Sequence, residues 1–102
     1  MRMKVRFAAE AETDLERIAD RIAQDNPERA LSFIQELREA CAGLADFPNR
    51  FPLVAGYAEP GIRYQVRGNY LIFYRAETEG VTVLHVLHGA MDYAAIVFPE
   101  DS

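Results

Sequence analysis

One cysteine, Cys41, occurs in the 102 residues. A lone thiol excludes an internal disulfide framework and fits a reducing compartment, so the cytosol is the expected location. Long apolar runs are missing as well: none approaches the roughly 20 residues that span a bilayer. The basic start, Met1 to Phe7, runs straight into the acidic Ala8–Glu12 with no apolar stretch for a signal peptide, and no membrane partner is expected. Serine is limited to Ser32 and Ser102, one inside a helical pattern and one at the terminus. That leaves no placement for a Ser-His-Asp triad. Excess positive charge is absent too. A net charge of −5 and a pI near 4.9 argue against sequence-independent nucleic-acid binding, which runs on phosphate neutralisation. Neither an internal repeat nor a low-complexity segment is present.

What is present is half hydrophobic and 11% aromatic, enough for one two-layer domain over residues 1–102. Charge is divided along the chain. Residues 10–46 carry ten acids against Arg17, Arg21, Arg29 and Arg38, whereas residues 50–75 carry Arg50, Arg63, Arg67 and Arg75 against Glu59 alone. A basic patch on an acidic chain points to a particular acidic partner. Met3, Val5 and Phe7 alternate with Lys4 and Arg6 as a short strand. Ala11, Leu15, Ile18, Ala19 and Ile22 recur at helical spacing, which predicts a helix from about 9 to 24. Asn26-Pro27 then supplies an N-cap and a first-turn proline for a second helix to about Ala45, making a short antiparallel hairpin. After a proline- and glycine-bearing loop over 48–61 come strands Ile62–Val66, Tyr70–Arg75 and Val81–His88, the first two joined at Arg67-Gly68-Asn69. Met91–Phe98 reads equally as a short helix or a final strand. The fold class is α+β. Val5, Leu15, Ile18, Ile22, Phe33, Ile34, Leu37, Leu44, Ile72, Phe73 and Val86 are expected to fill the core between helices and sheet.

Little of this announces a chemistry. His85 and His88 stand three apart, which on a regular strand sends them to opposite faces and prevents joint metal ligation. Cys41 falls on the apolar stripe of the second helix, where an inert thiol is expected. Glu10, Glu12, Asp14, Glu16 and Asp20 read as a solvated helix face. No cofactor, metal or catalytic residue is called. The group Arg63, Arg67, Arg75, Tyr64, Tyr70 and Tyr74 admits two readings. It either stabilises the strands across the sheet or recognises a partner, with RNA stacking disfavoured by the overall acidity.

Several patterns act in combination: Ala11…Asp14-Leu15…Ile18-Ala19, Asn26-Pro27, Phe33…Leu37 and Phe47-Pro48. Arg63…Gly68-Asn69-Tyr70…Ile72-Phe73-Tyr74-Arg75 and Val86-Leu-His88-Gly89…Asp92 complete the set. Together they resemble the ParE branch of the RelE/ParE toxins, over roughly residues 3–98. The resemblance implies a strand, a two-helix hairpin and an antiparallel meander. It implies a toxin of a type II toxin–antitoxin module, non-enzymatic, inhibiting DNA gyrase and neutralised by a ParD-like antitoxin, with operator DNA reached only through that antitoxin. Arg63, Arg67, Arg75, Tyr64, Tyr70, Tyr74, His85 and His88 are the candidates for antitoxin or target binding. RelE-type relatives cut mRNA on the ribosome with basic residues and a C-terminal tyrosine or histidine–tyrosine pair. Here the last strand ends His88-Gly89-Ala90 with no tyrosine before Tyr93, so that equipment is expected to be absent. A ribosome-dependent endoribonuclease is the alternative, and a module kept only for antitoxin complex formation is a third. Against the common ParE wording Arg-Val-Leu-His-Gly-Ala-Arg-Asp, this chain has His85 and Met91, two positive charges fewer.

Overall fold

Ala8 precedes the first helix in an extended conformation and caps nothing with its side chain. The acids Glu10 and Glu12 sit in the first turn, where they oppose the positive end of the helix dipole. The computed structural model describes residues 4–54 and 61–98. Its elements are β1 (Lys4–Phe7), α1 (Ala9–Ala23), α2 (Pro27–Gly43), β2 (Ile62–Arg67), β3 (Tyr70–Glu77), β4 (Gly80–His88) and α3 (Tyr93–Val97). Met3, expected in the first strand, and positions 55–60 of the long loop lie outside the described residues.

The helical hairpin forms as its sequence prescribes. Asn26 accepts a hydrogen bond from the Arg29 N–H at 3.1 Å, with Pro27 opening α2 where a missing N–H costs nothing. Arg38 of α2 donates to both carboxylate oxygens of Glu12 on α1, at 3.1 and 3.3 Å, tying the two helices on their outer side. In the strands, the turn after β2 uses Gly68 at φ 61 while Asn69 keeps an ordinary φ. A positive φ at the first central position alone is the two-residue hairpin geometry that only glycine adopts without strain. Met91–Phe98 resolves as α3, with Asp92 accepting from the Ala95 N–H at 3.4 Å.

The four strands lie in the order β1-β4-β3-β2, with the meander antiparallel and β1 joining β4 in parallel. Gly80 makes that junction close: a Cβ there would stand 2.1 Å from the Lys4 carbonyl oxygen. Side chains then sort by alternation. Tyr70, Ile72 and Tyr74 of β3 face α1 and α2, joining Leu15, Ile18, Leu37, Cys41, Leu44, Val81, Val83 and Val86 in the main core. The expected core is thus largely in place, with Val5, Ile22, Phe33 and Ile34 half-buried at its margin. Phe73 is the exception. It points to the opposite face, where it packs with Val54, Ile62, Leu87 and Phe98 beneath α3. Both faces of the central strands are covered, which is why Leu71-Ile72-Phe73-Tyr74 reads as a continuous apolar run rather than an alternating one.

Candidate functional site

β1 stops at Phe7, paired only with Gly80–Val83, while β4 continues to His88. From Leu84 onward, no strand among the described residues lies on that side of β4. The chain turns into α1 at once, and α1 crosses the uncovered edge. Its Asp14 carboxylate accepts the Val86 N–H at 3.0 Å and meets His85 Nδ1 at 2.8 Å, with only 7% of the residue exposed. A buried backbone donor needs a partner, and here a side chain supplies the acceptor that a neighbouring strand would have given. Asp14 therefore does not belong to the solvated acidic face where the sequence reading put it. Ala11 stands three residues before it and Ile18 four after, both buried, so helical periodicity puts Asp14 on the inward stripe.

The same edge opens into a groove of about 440 Å³. Thr13, Asp14, Arg17, Ile18 and Arg21 of α1 form one wall, the stretch His85–His88 forms the floor, and Met91 and Ile96 close the far side. Met91 and Ile96 are 45% and 37% exposed, large apolar side chains left open to water beside an apolar floor. Tyr70 completes the lining, its ring edge-on to His88 at 5.3 Å and tilted against Phe33 at 5.5 Å. His85 and His88 both line this groove, although the register keeps the expected alternation, with His85 opposite Phe73 and His88 opposite Tyr70. The extra residue Leu84 lies before both and leaves that alternation intact; the open edge of β4 is what lets His85 reach α1. His88 in turn accepts the Ala90 N–H at Nδ1, 3.0 Å away. No cluster of three metal-ligating side chains occurs among the described residues.

The other candidates are dispersed. Arg63 donates to the Phe51 carbonyl at 2.7 Å and to the Asn49 carbonyl at 3.4 Å. Tyr74, fully buried, donates to the Pro48 carbonyl at 2.7 Å. These two residues clamp the loop after α2 onto the sheet. Burial raises the Tyr74 phenol above its ordinary range, with Arg63 and the Phe51 backbone opposing. Tyr64 lies on the far face, its ring centroid 6.5 Å from that of Phe73. Arg75 shares that face opposite Ile62, and Arg67 is exposed beside the Gly68 turn. Of the eight, the structure brings together Tyr70, His85 and His88. Sequence reasoning missed Asp14, Arg17 and Arg21. Cys41, fully buried, has its thiol pushed up to about 12 by desolvation against an opposing Arg38, which makes it inert at neutral pH.

The model for the ParE toxin of the type II toxin–antitoxin system parDE matches residues 5–93. The chain belongs to the ParE toxin family. Solved structures agree on the fold. The chromosomal ParDE system from P. aeruginosa is 22% identical, with a TM-score of 0.69 over 84% of this chain and 95% of that one. The RelBE2 toxin–antitoxin complex from Mycobacterium tuberculosis is 28% identical, with a TM-score of 0.62 over 86% of this chain and 99% of that one. The E. coli DinJ–YafQ toxin–antitoxin complex shares the fold at 12% identity, with a TM-score of 0.60 over 96% of this chain and 99% of that one. No curated protein is significantly similar to the chain in sequence. With its ParE membership, the strand–hairpin–meander order anticipated from the sequence is the architecture of a type II toxin. No helix among the described residues is long and apolar enough to cross a membrane.

Proposed function

We propose that this ParE-family chain is a cytoplasmic toxin that inhibits DNA gyrase by binding and is neutralised by a ParD-like antitoxin. The family match over residues 5–93 carries the reading. The placement of the tyrosine that follows β4 favours binding over catalysis. His85 Nδ1 faces the Asp14 carboxylate that also holds the Val86 amide, and His88 Nδ1 accepts the Ala90 N–H. A general acid or base must reach the substrate proton; each ring is held through Nδ1, which also suits a general base, so the histidine contacts alone favour neither reading. Tyr93, the first tyrosine after β4, stacks on Phe73 at 5.3 Å on the face opposite the hairpin. That is a poor position for assisting either histidine in phosphodiester cleavage.

The test has two arms. Tightly induced expression should arrest growth, and the purified chain should inhibit supercoiling by gyrase in a dose-dependent way. Codon-specific cleavage of mRNA on programmed ribosomes, with gyrase untouched, would replace this reading by the endoribonuclease one. Coexpression with a neighbouring ribbon-helix-helix reading frame should restore growth, and with it the operator is reached only through that partner.

A further inference from the structure

Phe47 is the only exposed aromatic side chain among the described residues, 68% open to water. It opens the turn after α2, where the Arg50 N–H donates to the Phe47 carbonyl at 3.1 Å. The sheet holds that turn from behind, through Tyr74 on the Pro48 carbonyl and Arg63 on the Asn49 and Phe51 carbonyls. With those carbonyls drawn inward, Phe47 and Arg50 are left exposed, Arg50 lying over the Phe51 ring at 5.4 Å. Asp46, Phe47, Pro48, Asn49 and Arg50 together line a shallow concavity. On the hairpin, Arg29 is paired with Glu36 and Arg38 with Glu12. Neither Asp46 nor Arg50 enters an ion pair among the described residues.

We infer that this patch pairs with the same patch of a second copy about a two-fold axis, Phe47 against Phe47 and Asp46 of each copy facing Arg50 of the other. Such an interface is isologous, so an acid and a base beside a central apolar group complete each other twice. A partner surface of one charge sign would leave either Asp46 or Arg50 unmatched. The net charge of −5 sets two copies against each other elsewhere, but residues 47–54 carry Arg50 and no acid, so the repulsion is least here. Pro48 and the carbonyls held by the sheet fix the turn before pairing, which lowers the ordering entropy. Five residues per copy fall well short of the roughly 20–30 in a standard interface, so the pair is weak and reversible. The turn lies at the β2 edge and the groove at the β4 edge, so pairing leaves both grooves open. The pairing does not depend on what the chain inhibits.

Sedimentation velocity of the purified full chain, run over a range of concentrations, should show the average coefficient rising from monomer to dimer and no further. Phe47→Ala should weaken pairing about tenfold or more, whereas Val66→Ala, an exposed apolar change at the other end of β2, should leave it unchanged. Asp46→Arg and Arg50→Asp should each weaken it to a similar extent, because either reversal sets like charges together twice. Combined in one chain, the two reversals should restore pairing, a recovery that a merely structural role of either residue would not give. Circular dichroism should show every variant folded, since each change is on an exposed side chain. Pairing that survives Phe47→Ala, a double variant no better than the singles, or growth beyond the dimer would overturn the assignment. So would a wild type that stays monomeric at every concentration; if Phe47→Ala then also lost gyrase inhibition, the patch would belong to the target instead. Failure to arrest growth removes the toxin reading and leaves the pairing result intact.

Discussion

At the β2 edge, Arg63 and Tyr74 direct their donors to the carbonyls of Phe51 and Pro48, holding a loop in place. At the β4 edge, Arg17 and Arg21 have no such partners among the described residues and stand over a groove whose rim exposes Met91 and Ile96. Both edges combine arginine with aromatic rings, and composition alone ranks the first above the second. What separates them is the supply of acceptors. The loop presents the carbonyls of Pro48, Asn49 and Phe51 to the sheet, so Arg63 and Tyr74 become part of the scaffold. On the other side β1 is too short to cover β4, and one buried carboxylate repairs the gap while leaving a concave surface outside it. Changes at Arg63 and Tyr74 should therefore be felt in stability, and changes on the groove wall in binding.

The largest effect belongs to neither edge and calibrates both. Leu37 is fully buried between hairpin and sheet, so Leu37→Ala should lose about 2–5 kcal/mol of stability in urea denaturation. An unchanged midpoint would mean that the hairpin is not packed on the sheet as described, and the contrast between edges would have no frame.

Alkaline pH tests that same core. Burial favours the neutral thiol of Cys41, whose value rises from 9.0 to about 12, and the neutral phenol of Tyr74 shifts in the same direction. A raised value in the folded state means that the stabilisation is complete below the unfolded value and declines as pH rises through the folded one. Stability should hold to about pH 9 and then fall toward pH 12, by up to about 1.4 kcal/mol per unit for each such group. Thermal melts between pH 8 and 11 check this. A Cys41→Ala variant should show a shallower decline, and an identical slope would remove the thiol from the account.

Asp14→Ala should cost about 1–3 kcal/mol, the penalty for leaving a buried donor unpaired. Hydrogen exchange should speed up at Val86 and change little at residues of β2. If exchange at Val86 is unchanged, α1 is not what closes the β4 edge, and the groove loses its wall. Asp14→Asn should recover part of the loss, because the amide oxygen can still accept from the Val86 N–H.

The fold was legible because local signals agreed: the Asn26-Pro27 break, the Gly68 turn, and the two periodicities all favour one arrangement. The site was less legible, for three physical reasons. Arg63 and Tyr74 carry residue types enriched at interfaces, but their acceptors are loop carbonyls some twelve and twenty-six positions away, which no local pattern reveals. The histidine spacing argument holds for the register, but it does not show that the edge of β4 beyond Leu84 is uncovered, where His85 can reach α1. Asp14 was findable. Its place between Ala11 and Ile18 on the inward stripe marks it as buried, and a buried acid on a helix implies a donor across from it. Arg17 and Arg21 emerge only after the neighbouring arginines are seen to be paired, which is a fact of three dimensions.

The smallest expected effect decides the contrast most directly. Tyr74→Phe removes one buried hydroxyl from the Pro48 carbonyl while keeping the ring, and should cost about 1 kcal/mol. Arg17→Ala and Arg21→Ala remove exposed side chains without ion partners among the described residues, and each should change stability by no more than about 0.5 kcal/mol. Measured together in one denaturation series, the three variants should separate by stability, whereas affinity for a ParD-like antitoxin should separate them in the opposite order. The physical reason is that Tyr74 is fully buried and cannot touch a partner, while Arg17 and Arg21 have nothing to lose until a partner arrives. Equal loss of stability in all three would mean that the groove arginines are held by the fold after all, and the two edges would then be used in the same way.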